Sequence, residues 1–448
     1  MKISVDSRRC GAGKTAGIGG IFDRIQLHTQ RNESVLVTVP SIKLIEQYYK
    51  QFPDATVITS ETVDNVQAHL HNAFNNGAEL IIITHKAFLE SQILSGTRGL
   101  YNLIIDEAFD PWRSQTYEQS ALDINFDWNV LLAATPVNDI EGWNTLHLKH
   151  NIRTNTISNS SNFVRDIYNT NWRMYIKTEQ YESWTMDGTR RVEFVQELDP
   201  GILSGWCSVH VAAAAFEKTF MYWWVLKHGI HIKVTKPFEP HTTQITIHYP
   251  EDGHGGTTWS KYKTLNQPEI KQTFRDYVNA VGAPLLRLKN NNDFTVMNNS
   301  EVIGHNAAGI NGKSHYEHVV MESTLNPTPL MGEWLKMQAS NYLPSTTRAD
   351  VALFEARTGY IFYQVGMRCS LRDERPAHFY VIDNRAVIAL TYYFDNVKMA
   401  DIHYKSDRGP APLTGAEKSR ANRALKKNPE KYKGMKYRDI LDDLLRKS

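Results

Sequence analysis

Gly11-Ala12-Gly13-Lys14-Thr15, just after the strand-like stretch Lys2 to Asp6, is a pattern suited to holding phosphates. Glycines let backbone N–H groups crowd around phosphate oxygens, and a helix starting at once after them aims its positive end at the same place. The lysine reaches the β/γ-phosphates and the threonine hydroxyl ligates Mg2+. The fuller form of this loop carries a further glycine where Arg8 stands. Further on, Leu103-Ile104-Ile105 is the short apolar run expected of a buried parallel strand, and it runs into Asp106-Glu107. An acidic pair at such a strand end suits metal binding and water activation: Asp106 holds Mg2+, commonly through its waters, and Glu107 orients and deprotonates the attacking water. Either segment alone fits a glycine turn or a solvated strand end. Together they point to hydrolysis of a nucleoside triphosphate, with ATP and Mg2+ as cofactors.

The elements that would position these groups come in a telling order. Val130-Leu131-Leu132-Ala133 is another apolar run, ending in Ala134-Thr135-Pro136. Glycine loop, Asp-Glu-Ala-Phe and Ala-Thr-Pro in succession resemble the first RecA-like domain of superfamily 2 helicases and translocases, in a DEAD-like, divergent, phage-type form. Val35 to Pro40, with Leu44 and Gln47 after it, resembles motif Ia, and Ile81-Ile82-Ile83-Thr84-His85 resembles motif Ib. The resemblance implies that Thr84 and His85 touch nucleic acid and that Thr135 couples hydrolysis to it.

Weaker matches continue in order. Gly304 to Asn311 resembles motif V, with Gly309-Ile310-Asn311 in place of Gly-x-Asp. Tyr363 to Arg372 resembles motif VI: Gln364 and Arg368 match in spacing, Met367 replaces a glycine, and Arg372 lies one residue beyond the usual second arginine. By that resemblance Gln364, Arg368 and Arg372 join Glu107 as catalytic residues. Guanidinium groups across a cleft stabilise the charge that a phosphoryl transition state spreads over its equatorial oxygens.

Composition narrows the class. The chain has 448 residues, 41% apolar and 22% charged, as soluble globular proteins of two or three domains have. Cys10, Cys207 and Cys369 are isolated, which supports neither a zinc site nor a disulfide framework and suits a reducing compartment. The expected location is the cytoplasm, the host's if the gene is a phage's. The N-terminus enters the first strand almost at once, leaving no room for a leader. Val209 to Trp224 is the most apolar long stretch, but His210, Glu217 and Lys218 argue against a membrane span; it reads as an aromatic core helix. The net charge of +2 divides into +7 for residues 405–448 and −5 for the rest. A basic tail on a mildly acidic body suits nucleic acid, with Lys426 and Lys427 as contacts.

The expected architecture is α/β: two RecA-like doubly wound parallel-sheet domains with a bridging insertion and a small basic helical C-terminal appendix. Its expected parts are residues 1–155, the first RecA-like domain; 156–240, the linker or insertion; 241–400, the second; and 401–448, the tail. The function implied is an ATP-dependent helicase or translocase, acting on DNA, with RNA as the other substrate open to it. Two alternatives stand beside it. One is a phage terminase-like packaging ATPase, against which no acidic nuclease triad is evident in residues 280–400. The other is a catalytically weak nucleic-acid clamp, which Phe109 in place of the usual Asp or His keeps in play.

Overall fold

A computed structural model describes residues 1–118, 132–137, 140–148, 166–186, 191–251, 268–290, 296–305, 310, 312–323, 325–345 and 347–403. The tail, with Lys426 and Lys427, and most of the motif V-like stretch, residues 306–309 and 311, lie outside them. The described residues through Ile402 form one compact unit. Among the described residues, no helix is long and apolar enough to cross a membrane.

The first sheet is built from β1 (Lys2–Asp6), β2 (Ser34–Val39), β3 (Thr56–Ile58), β4 (Leu80–Thr84) and β5 (Tyr101–Asp106). After β5 the chain leaves it for β6 (Trp112–Glu118), β7 (Leu132–Pro136), β8 (Trp143–Leu148), β9 (Trp172–Lys177) and β10 (Arg191–Leu198). It then returns with β11 (Ser208–Ala212) and β12 (His231–Lys236). The first sheet has the order β12-β1-β11-β5-β2-β4-β3 and is parallel throughout. Its central strands β2, β4 and β5 are apolar on both faces, as burial between two helical layers requires. Val35, Val37 and Ile104 pack under the helices Ile21–Gln30 and Ile42–Gln51. Leu36, Leu103 and Ile105 face the opposite layer, where Leu70, Phe88 and Trp224 lie.

The second sheet takes in β13 (Ile245–Glu251), β14 (Leu285–Leu288), β15 (Ser300–Ile303), β16 (His318–Met321), β17 (Ala377–Val381) and β18 (Val397–His403), in the order β15-β14-β16-β17-β13-β18, with β13 to β17 parallel. Its alternation is equally plain: Val319 and Phe379 pack with Phe362 and Leu390, whereas Val320 and Tyr380 pack with Phe274 and Val278. The chain is thus an α/β protein of two RecA-like lobes. The lobes share a core, since Cys10, Ala214 and Ala215 of the first pack among Phe362 and Tyr363 of the second.

Two expectations fail here. The segment from Ser208 to Lys236 belongs to the first sheet, not to the bridging region. The apolar stretch from Val209 to Trp224 is likewise not one helix. It is a strand through Ala212, a short 3-10 turn at Phe216–Lys218 and a helix only from Phe220. Val209 and Val211 are β-branched and fit a buried strand, and Ala215 takes a left-handed backbone that no helix continues through. What bridges is an antiparallel sheet, β6-β10-β9-β8-β7, whose Met174, Ile176 and Phe194 make their own small core.

One histidine cluster in the second lobe gives a pH prediction. His248, His318 and His378 come from neighbouring strands, with His248 Nε2 3.0 Å from His378 Nδ1 and His318 stacked on His378. Tyr277 and Tyr380 hydrogen-bond the outer ring nitrogens, and Glu317 lies beside the group. Burial first, then the neighbouring rings, pushes His248 down to about 4, and His318 and His378 are lowered too. A lowered histidine contributes stability that is complete above its unfolded value near 6.5 and is lost as pH falls through that value toward the folded one. Thermal midpoints are therefore expected to hold above about pH 6.5 and fall toward pH 4. His248→Phe should flatten that slope in melts across the range; an unchanged slope would refute the assignment.

Candidate active site

The carboxyl ends of β1 and β5 meet where the glycine loop turns. Gly11 and Gly13 both have positive φ, 83° and 71°, which explains why this loop demands glycine. Arg8, standing where the fuller pattern has glycine, braces the loop instead. It grips Asp6 in a two-pronged pair (Nη2 to Oδ2 2.7 Å, Nε to Oδ1 2.9 Å) and donates to the Ala12 carbonyl. Although burial raises the Asp6 pKa, this guanidinium holds it below its ordinary value.

The helix expected immediately after Thr15 starts only at Ile21. Three of residues 16–20 (Gly17, Gly19 and Gly20) are glycine, a poor helix former, and Gly19 has φ 64°. The intervening turn is tight: Gly17 N–H donates to Gly13 O, and Ile21 N–H to Lys14 O. A Cβ on Gly20 would lie 2.6–2.7 Å from the carbonyl oxygens of Lys14, Gly13 and Gly17, so only glycine fits there. The candidate phosphate loop is therefore a glycine-turned loop rather than a helix N-terminus.

Lys14 is buried, and its Nζ donates to the carbonyls of Arg8 and Arg9 at 3.1 and 3.3 Å. Thr15 Oγ1 donates to Asp106 Oδ2 at 3.3 Å, and Tyr48 Oη donates to the same oxygen at 2.7 Å. Burial, and secondarily the charge of Glu107, raises the Asp106 carboxyl to about 7. A buried carboxylate with a threonine hydroxyl beside it is a donor set that fits Mg2+, whose charge would favour the ionised form.

Glu107 sits in the left-handed region, φ 70°, uncommon for a non-glycine residue and typical of functional positions. Its N–H is held by the Ala212 carbonyl at 2.9 Å, and its side chain is reached from the second lobe. Tyr360 Oη and Gln364 Nε2 both donate to Glu107 Oε2, at 2.9 and 3.3 Å. On the same helix, the Tyr363 hydroxyl accepts the Cys10 N–H at 2.7 Å, and the Cys10 thiol lies 3.4 Å from Gln364 Oε1. Burial raises the Cys10 thiol, with smaller contributions from the charges of Lys14, Glu107 and Arg368. Arg368 donates to the Ile310 carbonyl, and among the described residues its buried Nε has no hydrogen-bond partner. Arg372 is exposed on the short turn that follows; partial desolvation, then the charge of Arg368, lowers its pKa.

The structure thus brings the loop Gly11-Ala12-Gly13-Lys14-Thr15, Asp106, Glu107 and Gln364 together where the two lobes meet, with Arg368 and Arg372 following Gln364 on the same segment. It does not bring Thr135 there. Thr135 is exposed on the antiparallel sheet, paired with Thr145, because the strand between β1 and β5 is β11 and not β7. Ala212 to Ala215 take the place that Ala134 and Thr135 were expected to fill, and the Ala213 and Ala215 amides bond Asp6 and Ser7. Thr84 caps the helix His85–Glu90 by accepting from Ala87 N–H, and His85 is buried against Phe109 and kept neutral, down to about 4, by burial. His85 therefore lies in the interior, whereas Thr84 stays partly exposed. Phe109, the residue that departs from the usual acid or histidine, fills core between His85, Phe88 and Trp224. Sequence reading missed Tyr360 and Tyr363; Tyr360 lies one helical turn before Gln364, the one signal that could have found it.

No family model and no curated protein matches the sequence. A solved structure shares its fold. Xpd4 from S. tokodaii aligns over 89% of this chain and 96% of its own, with a TM-score of 0.50 at 10% identity. The DUF1998 helicase MrfA, bound to DNA and AMPPNP, aligns over 99% of this chain and 60% of its own, with a TM-score of 0.25 at 10% identity. The fold and site define a class, an α/β protein of two RecA-like lobes with a glycine-lysine-threonine loop and an Asp-Glu pair where the lobes meet.

Proposed function

We propose that the chain is an ATP-hydrolysing helicase or translocase, acting on nucleic acid and first of all on DNA. The observation that carries this reading is the convergence of Lys14, Asp106 and Glu107 from one lobe with Gln364, Arg368 and Arg372 from the other. Single-lobe phosphate-binding proteins have no use for a second parallel sheet bearing arginines at the cleft. In this reading Lys14 leaves its carbonyl partners for the β/γ-phosphates, and Glu107 takes the proton of the attacking water. Arg368, whose buried Nε has no partner among the described residues, stabilises the charge that builds in the transition state. Asp106 and Thr15 would hold Mg2+, which supplies charge compensation to the phosphates.

Nucleic acid is implied by the superfamily 2 resemblance and by the basic tail. A groove between the helix Ile42–Gln51 and β15 adds Lys43, Lys50 and Lys313, with Glu46 and Glu301 among them. Such contacts act mainly on phosphates and would make binding salt-dependent. The test is ATP turnover with and without DNA, alongside a nuclease assay, on the wild type and Arg368→Ala. The variant is expected to lose about a hundredfold or more in kcat with ATP affinity nearly unchanged, as a group acting on the transition state should. Normal turnover in Arg368→Ala would remove the two-lobe mechanism, and DNA cleavage by the wild type would favour the packaging-motor alternative.

A further inference from the structure

We infer that Tyr360 is a positioning residue that ties the general base to closure of the second lobe; this rests on the reading of Glu107 as that base. Glu107 is anchored twice. Its backbone, in a costly left-handed conformation, is held within the first lobe by the Ala212 carbonyl. Its carboxylate is held by the second lobe, where Tyr360 Oη and Gln364 Nε2 converge on the single oxygen Oε2. Gln364 Nε2 also lies 3.0 Å from Tyr360 Oη, so the three groups form a closed ring of hydrogen bonds. Both donors therefore fix one carboxylate oxygen and with it the direction in which the other is presented. Burial and the Glu107 charge keep the Tyr360 phenol well above its ordinary pKa, so it remains a donor.

The helix is shaped to deliver this contact. Glu355–Gly359 is a π-helical turn, directly followed by the helix Tyr360–Gly366. One extra residue in a turn rotates the later part of a helix by about 100° relative to the earlier part, and such turns gather at functional positions. After it, Tyr360 and Gln364, one turn apart, reach Glu107, while Tyr363 reaches Cys10 of the glycine loop. Gly359 lets this turn press on the neighbouring helix: a Cβ there would lie 2.7 Å from Ala389 Cβ. Three residues of one helix in one lobe thus grip the base and the phosphate loop of the other. A movement of that helix changes how Glu107 is aimed.

The test compares Tyr360→Phe, which removes only the hydroxyl, with Tyr360→Leu, which also removes the ring. In steady-state ATP turnover, Tyr360→Phe is expected to lose about tenfold or more in kcat with KM and nucleotide affinity within about twofold of wild type. Tyr360→Leu should be no more than slightly worse in kcat. A Tyr360→Phe variant with wild-type kcat, beside a Tyr360→Leu variant that has lost stability, would show that the ring merely packs and would overturn the inference. Equal losses in kcat and nucleotide affinity would overturn it too. A wild type without ATP turnover would remove the underlying reading, which the wild-type control distinguishes.

Discussion

Lys14→Ala is expected to lose about a thousandfold or more in ATP turnover while keeping its fold. The ammonium is the only side-chain cation of the Gly11-Ala12-Gly13-Lys14-Thr15 segment. It is already buried at the base of the loop, so its charge acts in a poorly screened place. Removing one preorganised donor from a site of developing charge costs roughly a hundred- to a thousandfold, and here ground-state binding of the phosphates is lost as well. The structural cost is small by comparison. Nζ is bonded to the Arg8 and Arg9 carbonyls. Loop shape is set by Gly11 and Gly13, by the Gly17-to-Gly13 bond and by Arg8 gripping Asp6, none of which involves the lysine side chain. Melting and turnover, measured on the same preparation, check this. An active variant would show that the loop does not hold phosphates; an unfolded one would show that Lys14 is structural.

What the sequence made legible was what local patterning controls. Val35 to Val39, Ile81 to Thr84 and Leu103 to Asp106 are short apolar runs, and burial on both faces of a parallel sheet needs nothing more. Glycine, lysine, threonine and the acidic pair were legible because phosphate and metal chemistry allow few substitutes. Strand order was not legible. Leu132 to Pro136 and Ser208 to Ala212 are both short apolar strands, and nothing local says which lies between β1 and β5. That choice is made by the long excursion through the antiparallel sheet and by β11 being buried on both faces, whereas β7 exposes Thr135 and Pro136. The late start of the first helix was written in Gly17, Gly19 and Gly20, but as a packing requirement visible only once three carbonyls are seen to converge on Gly20. Tyr360 was hidden for a related reason: a tyrosine in an apolar helix is usually core, and its partner lies 253 residues away.

Glu107→Gln is expected to bind ATP normally and hydrolyse it about a hundredfold to ten-thousandfold more slowly, the range over which positioned general bases contribute. The amide is nearly isosteric. Its oxygen can accept from Tyr360 and Gln364 as the carboxylate does, so the contact between the lobes survives. Its backbone N–H keeps the Ala212 partner, and glutamine meets the left-handed backbone at a cost close to that of glutamate. What it cannot do is take a proton from water. The contrast with Lys14→Ala is therefore diagnostic: one variant should lose nucleotide, the other should retain it unhydrolysed. Removing a negative charge next to Asp106 also relieves part of what raises that carboxyl, which makes Asp106 easier to ionise and should, if anything, favour Mg2+ and nucleotide retention. Equilibrium binding of a fluorescent ATP analogue and single-turnover hydrolysis separate the outcomes. Tight binding with wild-type single-turnover rates would mean that Glu107 only braces the cleft and that the attacking water gives its proton elsewhere.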